Sequence, residues 1–330
     1  MPKPTCEKQD CTAAATGKCI LGKKPAECQH FRPEAADSGT GTTGMPKVSP
    51  ENGRRFHPGL ELGAEDAYAI MRERYCHLIG ILGVTDAGKT CLLSSMYLMA
   101  CHGELMPKYS FAGSLTLQGF EDRARRLRSW KNGALPKRLS EHTSLADPRQ
   151  PSLVHLALRE DGFHGRRIDL LLTDLPGEWT AELIARAETS DRFKFLKRAD
   201  SIFLVIEGTK LETPETRHVE VHRAELVIRR LKETLNIDPS VPLLIVVSKA
   251  DEMKDRNPTA ISEIEVICKK LGFSPTVVLA AAFSKKPGEI PNGQGIQTLI
   301  ETTLSANPRG DWKALTPLSA SNRFFERFNT

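Results

Sequence analysis

Gly83-Val84-Thr85-Asp86-Ala87-Gly88-Lys89-Thr90 satisfies G-x-x-x-x-G-K-[ST] in full, and its setting decides the fold. An apolar run, His77-Leu78-Ile79-Gly80-Ile81-Leu82, leads into it, and an apolar helix is predicted from Lys89 to about Cys101. Glycines let such a strand-to-helix loop curl until successive N–H groups converge on one centre. Those donors, with the helix N-terminus, suit a β-phosphate. The backbone from Gly83 through Cys91 is therefore the candidate cradle. Lys89 offers a point charge between β- and γ-phosphates, and Thr90 a hydroxyl to Mg²⁺. The loop alone chooses neither between ATP and GTP nor between hydrolase and kinase.

Outward from the loop, strands and helices alternate. Helices are predicted near Ala64–Arg74, Trp179–Lys197, Pro214–Leu235, Thr259–Leu271 and Gly295–Leu304. Strands are predicted at Leu153–Leu158 and Ile168–Thr173, joined by a turn at Asp161-Gly162, and at Ser201–Ile206, Pro242–Val247 and Thr276–Phe283. The middle strands are continuous apolar runs, which implies a mostly parallel sheet covered on both faces, with one antiparallel hairpin strand.

Asp174-Leu175-Pro176-Gly177 closes the second hairpin strand. A carboxylate there can hold a magnesium-bound water, and the glycine N–H can meet the γ-phosphate and report its presence. Glu178 follows, where many GTPases carry a glutamine that orients the attacking water. It either orients or deprotonates that water, or is a first-turn residue that favours the helix dipole. No motif marks a switch threonine. Thr143, ahead of the hairpin's first strand, is the candidate for Mg²⁺, with Thr116 the runner-up.

Ser248-Lys249-Ala250-Asp251 follows the strand ending Val246-Val247 and fits [NTS]-K-x-D. One carboxylate can accept from both N1–H and the exocyclic amine of guanine. Adenine would leave it unpaired, a penalty worth roughly 10⁴ in discrimination. The Lys249 stem can lie along the base face. Ser284 and Lys285, after the next strand, stand where a backbone contact to guanine O6 is expected; a plain basic turn before Pro287-Gly288 is the alternative.

The ordered set Gly83–Thr90, Asp174–Gly177, Ser248–Asp251 and Ser284–Lys286 resembles a translation-factor-related (TRAFAC-type) GTPase over roughly residues 77–304. More narrowly, the cysteine-bearing start with Ala15-Thr16-Gly17-Lys18-Cys19, the Gly113-Ser114-Leu115-Thr116-Leu117 stretch, Asp174–Trp179 and Ser284–Pro287 are similar to the prokaryotic double-GTPase family. The resemblance implies a P-loop NTPase three-layer sandwich that binds GTP and GDP with Mg²⁺. It also implies a regulatory role in bacterial conflict or anti-phage defence, often beside a second GTPase. This sequence holds one P-loop, so a second GTPase would be another polypeptide.

The chain has 330 residues, 40% hydrophobic and 26% charged, with a net charge of +5. That composition excludes collagen-like, mucin-like and fully disordered classes, and the charge is too mild to argue by itself for nucleic acid or an anionic membrane. No apolar run is long enough to span a membrane and no signal core opens the chain, so a cytoplasmic protein is expected. Four of the eight cysteines, Cys6, Cys11, Cys19 and Cys28, fall in the first 28 residues, with His30 close behind. A short segment nearly devoid of aliphatic residues cannot bury a core, so a structural Zn²⁺ is the expected substitute. Reduced solvent-exposed thiols and redox chemistry are the alternatives. Cys91 and Cys101 are expected as small core residues of the apolar helix.

The predicted organisation is a cysteine-rich module at 1–31, a Gly/Ser/Thr-rich linker at 32–60, a GTPase domain at 61–305 and a tail at 306–330. A basic stretch from Arg123 to Arg138, with Trp130 inside it, is a solvated helix face, an effector or nucleic-acid surface, or the source of an internal arginine finger at Arg138. The sequence thus points to a GTP-hydrolysing switch, slow without an activator, with a protein effector or second GTPase as partner and a homo- or hetero-oligomer as its assembly. Two competing readings are a nucleotide-gated interaction module with negligible hydrolysis, recruiting through its zinc module, and an ATP-using enzyme.

Overall fold

The structure is a computed structural model that describes residues 5, 6, 12, 19, 28, 30–32, 59–105, 107–127, 151–161, 164–256 and 258–305. Thr143, Cys11, linker residues 33–58, the basic stretch beyond residue 127 and the tail lie outside the described residues, as does the side chain of Cys6. The chain divides into two units, residues 1–55 and 56–330. In the first, β1 (Thr5–Cys6) pairs antiparallel with β2 (Phe31–Arg32), setting Cys6 opposite Phe31.

The second unit is built on a seven-stranded sheet in the order β4-β5-β6-β3-β7-β8-β9. Its strands are β3 (Cys76–Leu82), β4 (Tyr109–Gly113), β5 (Leu153–Glu160), β6 (Arg167–Thr173), β7 (Ser201–Glu207), β8 (Leu243–Ser248) and β9 (Pro275–Leu279). β6, β3, β7, β8 and β9 are mutually parallel; β5 pairs antiparallel with both β6 and β4, so it alone runs against the rest. The chain leaves central β3, builds β4, β5 and β6 on one side, and then crosses to β7 on the other. That reversal opens a crevice at the carboxyl end of β3, where ligands of open α/β sheets bind.

Alternation along each strand feeds two separate cores. Leu78 and Leu82 of β3, with Ile202, Leu204 and Ile206 of β7, face α1 (Ala64–Glu73), α4 (Gly177–Ala185), α6 (Pro214–Arg229) and α7 (Thr259–Lys270). Ile79, Ile81, Phe203 and Val205 face α2 (Lys89–His102), α3 (Leu117–Leu127) and α8 (Ile296–Ser305). Helices on both faces satisfy strands that are apolar on both sides, giving the expected three layers. The short α5 (Gly208–Glu212) caps β7.

Several local features differ from the sequence expectation, among them the unanticipated α3 and a last strand that ends at Leu279 rather than Phe283. The helix predicted over 179–197 is α4 followed by 3₁₀ turns at Ala187–Arg198. Arg186 between them is extended, and the Thr189 hydroxyl donates to the carbonyls of Glu182 and Arg186 that the break exposes. The helix after Pro214 ends in a wide π turn, Arg230–Thr234. β4 was not anticipated. Cys91 is only half-buried and Cys101 exposed, because Cys101 sits in the last turn of α2, where His102 and Gly103 are exposed too. No helix among the described residues is long and apolar enough to cross a membrane.

Candidate functional site

The cradle's backbone is what its sequence requires. Gly83 and Gly88 have φ of 155° and 95°, and Asp86 between them has φ of 64°. A Cβ on Gly83 would lie 2.6 Å from the carbonyl oxygen of Val205 on β7, so the loop can pass this close to the neighbouring strand only with glycine. Gly88 is the N-cap of α2, and the helix begins at Lys89. The first N–H groups of a helix face outward from its start, the direction from which an anion can approach. Lys89 is buried, and its Nζ donates to the carbonyls of Gly83 at 2.6 Å and Val84 at 3.0 Å. Burial pushes its pKa down to about 8, partly offset by Asp174, Glu178 and Asp86. A buried ammonium without a full counter-charge is a receptor for phosphate oxygens.

The Asp174–Gly177 segment closes on this loop from β6. The Thr173 hydroxyl accepts from the N–H of Ile81 at 2.7 Å, and the Thr180 hydroxyl accepts from the N–H of Gly83 at 3.2 Å, fastening strand end and α4 to the loop. A Cβ on Gly177 would stand 2.2 Å from the backbone nitrogen of Thr85. The Glu178 carboxylate accepts from the Thr85 hydroxyl at 3.0 Å, so its head lies against the cradle. Asp174 is buried; Oδ2 accepts from Arg123, while Oδ1 meets no donor among the described residues. A buried carboxylate oxygen kept in this condition, beside a loop that ends in Thr90, fits a hydrated Mg²⁺, which prefers carboxylate, hydroxyl and water oxygens.

The third loop joins the other two. The Ser248 hydroxyl donates to the carbonyl of Ala87 in the cradle at 2.7 Å and to that of Ile206 at 3.2 Å. Lys249 takes a left-handed φ of 55°, and its Nζ pairs with Glu207 Oε1 at 2.8 Å. Asp251 is 3% exposed, and its Oδ2 accepts from the N–H of Lys285 at 2.7 Å. The Ser284–Lys285 loop is thereby held against the aspartate, with the Ser284 N–H donating to Asn292 Oδ1 and Lys285 Nζ paired to Glu252, each at 2.7 Å.

Sequence reasoning missed two members of this neighbourhood. Glu207, at the end of β7, anchors both Lys249 and Lys210. Burial pushes its carboxyl up, but the two lysines outweigh that and hold it below the usual range. Arg123, expected only as part of a basic stretch, is turned inward onto Asp174. Arg125 is exposed and pairs with Asp122. Thr116, the runner-up switch threonine, is fully buried; its hydroxyl accepts from the N–H of His155 at 2.9 Å, committing it to β5. In the first unit Cys19 is half-buried and Cys28 buried, both as free thiols, and the described residues contain no group of three or more metal-ligating side chains.

Solved structures with similar chain traces include a GTP-binding protein from the hyperthermophilic archaeon Sulfolobus solfataricus in complex with GDP. It is 16% identical, with 72% of this chain and 54% of that one covered and a TM-score of 0.35. A variant of SsGBP is 17% identical over 72% of this chain and 60% of that one, with a TM-score of 0.34. The signal recognition particle receptor SRb-GTP/SRX complex from Chaetomium thermophilum is 14% identical over 69% and 99%, with a TM-score of 0.38. The chain thus spans less than two thirds of the length of the first two. No curated protein sequence matches it. The family model described as Double-GTPase 2 matches residues 77–304, the span that holds all four loops, and the chain belongs to that family of P-loop GTPases.

Proposed function

We propose that this protein is a guanine-nucleotide switch that hydrolyses GTP to GDP and phosphate with Mg²⁺, regulating a partner in a bacterial defence system. The observation that carries the reading is the position of Asp251. It is buried, oriented by the Lys285 N–H, and joined to the phosphate cradle through the bond from Ser248 to Ala87. The backbone from Gly83 to Cys91 holds the phosphates, Lys89 neutralises the β and γ groups, and Asp251 takes N1–H and the amine of guanine. Lys249 flanks the base, and Ser284 and Lys285 close over it. Thr90, Asp174 and Thr143 hold Mg²⁺, which supplies charge neutralisation on the β- and γ-phosphates when bound. Gly177 meets the γ-phosphate, and Glu178, held by Thr85, orients the water for in-line attack. Cys6, Cys11, Cys19 and Cys28 hold Zn²⁺ in a separate recruiting module. The β1–β2 pairing supports this, since it returns Cys6 to the stretch that carries Cys28 and His30.

A second reading, a nucleotide-gated binding module without hydrolysis, draws support from Glu178, whose bond to the Thr85 hydroxyl turns it toward the loop. Phosphate release from GTP with Mg²⁺, with Lys89→Ala as control, separates the two. For the base assignment, Asp251→Asn is expected to weaken GTP at least 100-fold and to favour xanthosine triphosphate, which offers an acceptor where guanine offers the amine. If ATP competes with GTP equally in the unmodified protein, the base assignment fails.

A further inference from the structure

Arg123 lies on α3, outside every nucleotide loop, yet two of its four hydrogen bonds go to Asp174. Nε and Nη2 both donate to Asp174 Oδ2, at 2.9 and 2.7 Å. Nη2 also donates to Glu61 Oε1 and Nη1 to the carbonyl of Gly119, each at 2.9 Å. A guanidinium facing a carboxylate commonly forks across both oxygens. Here both donors converge on one, and Oδ1 is left without a donor among the described residues although the side chain is fully buried.

We infer that Arg123 is a positioning residue for the magnesium-binding carboxylate, fixing Asp174 by one oxygen so that the other is reserved for the hydrated cation. The inference rests on the reading of this site as a Mg²⁺–guanine nucleotide site. Mg²⁺ demands near-ideal octahedral geometry, so a carboxylate free to rotate presents its oxygen correctly only part of the time. Glu61 and the Gly119 carbonyl grip the guanidinium from behind. The segment bearing Glu61 is itself tied down, because the Gly119 N–H donates to the Gly59 carbonyl at 3.0 Å and Leu62 bridges to Leu153. The carboxylate's orientation is thus inherited from residues 59–62 and from the helix that precedes the switch region.

The test is the release of a fluorescent guanosine diphosphate from the full chain, followed while free Mg²⁺ is titrated against EDTA. Arg123→Met keeps bulk and removes the donors. It is expected to raise the Mg²⁺ concentration for half-maximal slowing of release at least tenfold, with the release rate in EDTA unchanged. Arg123→Lys, which can still reach Oδ2, is expected to recover to within about threefold of the unmodified protein. An unchanged midpoint in Arg123→Met, or a rise in the EDTA rate by the same factor as the Mg²⁺-bound rate, overturns the inference. Should Arg123→Met fail to fold, Glu61→Leu removes only the far anchor's acceptor and is expected to shift the midpoint two- to fivefold in the same direction; no shift overturns the inference. Absence of guanosine diphosphate binding by the unmodified protein would overturn the site reading itself, and is seen before any variant is made.

Discussion

Lys89, the proposed phosphate ligand, shows what such a role costs a protein that must also fold without phosphate. Its ammonium is buried, its pKa is pushed down to about 8, and in the unfolded chain it returns to about 10.5. Between those values the unfolded chain binds more protons than the folded one, so the stability of the nucleotide-free protein rises with pH across that window. Below pH 8 the full penalty applies. Lys89→Met is therefore expected to stabilise the nucleotide-free protein at pH 7 by about 1–3 kcal/mol, net of the lost bonds to Gly83 and Val84. It should also abolish nucleotide binding and remove the upward slope between pH 8 and 10.5. Urea unfolding at pH 7 and 9.5 measures all but the binding; parallel slopes in the two proteins would refute the account. Affinity of the unmodified protein for guanosine triphosphate should fall as pH climbs past 8, because the neutral amine offers phosphate no charge.

At the scale of elements, the decisive contact is the start of α4 on the cradle. Gly177→Ala would set a methyl 2.2 Å from the Thr85 nitrogen, whereas a Cβ on Gly288 meets nothing within 4 Å. Gly177→Ala is expected to cost about 1–3 kcal/mol of stability and at least tenfold in nucleotide affinity, with Gly288→Ala near neutral in both, as read by denaturant melts and nucleotide titration. The elements around this contact were legible in sequence because they are largely buried on both faces: β7 and β8 are nearly continuous apolar runs, β3 and β6 carry Leu78–Leu82 and Leu170–Leu172, and alternate residues feed two cores. β4 was not, because Tyr109–Gly113 is a short edge strand, half-buried at best and carrying a bulge near Gly113. The basic stretch misled in the same way. In α3 the side chains of Phe120 and Ala124 are fully buried, and four of the last five residues, Arg123 to Leu127, are basic or small, which hides an amphipathic helix among charges. The partnership of Arg123 with Asp174 spans 51 residues of sequence and has no local signature at all.

For the whole molecule, the four loops were readable as motifs because phosphate and purine chemistry fix residue types at close spacing. The cysteine module was readable only as a composition, since its irregular C-x4-C-x7-C-x8-C spacing does not dictate a ligand set. Native mass spectrometry of the purified full chain is expected to show one zinc ion per chain, with Cys6, Cys11, Cys19 and Cys28 protected from thiol alkylation until a strong chelator is added. Zinc-free protein with all four thiols reacting at once would sink that assignment. The hydroxyl of Ser248, reaching across to Ala87, carries a broader consequence. It welds the proposed purine slot to the proposed anion nest, so neither can slacken alone. Fidelity toward the base and grip on the triphosphate tail should then rise and fall in step across any series of variants that perturbs this joint.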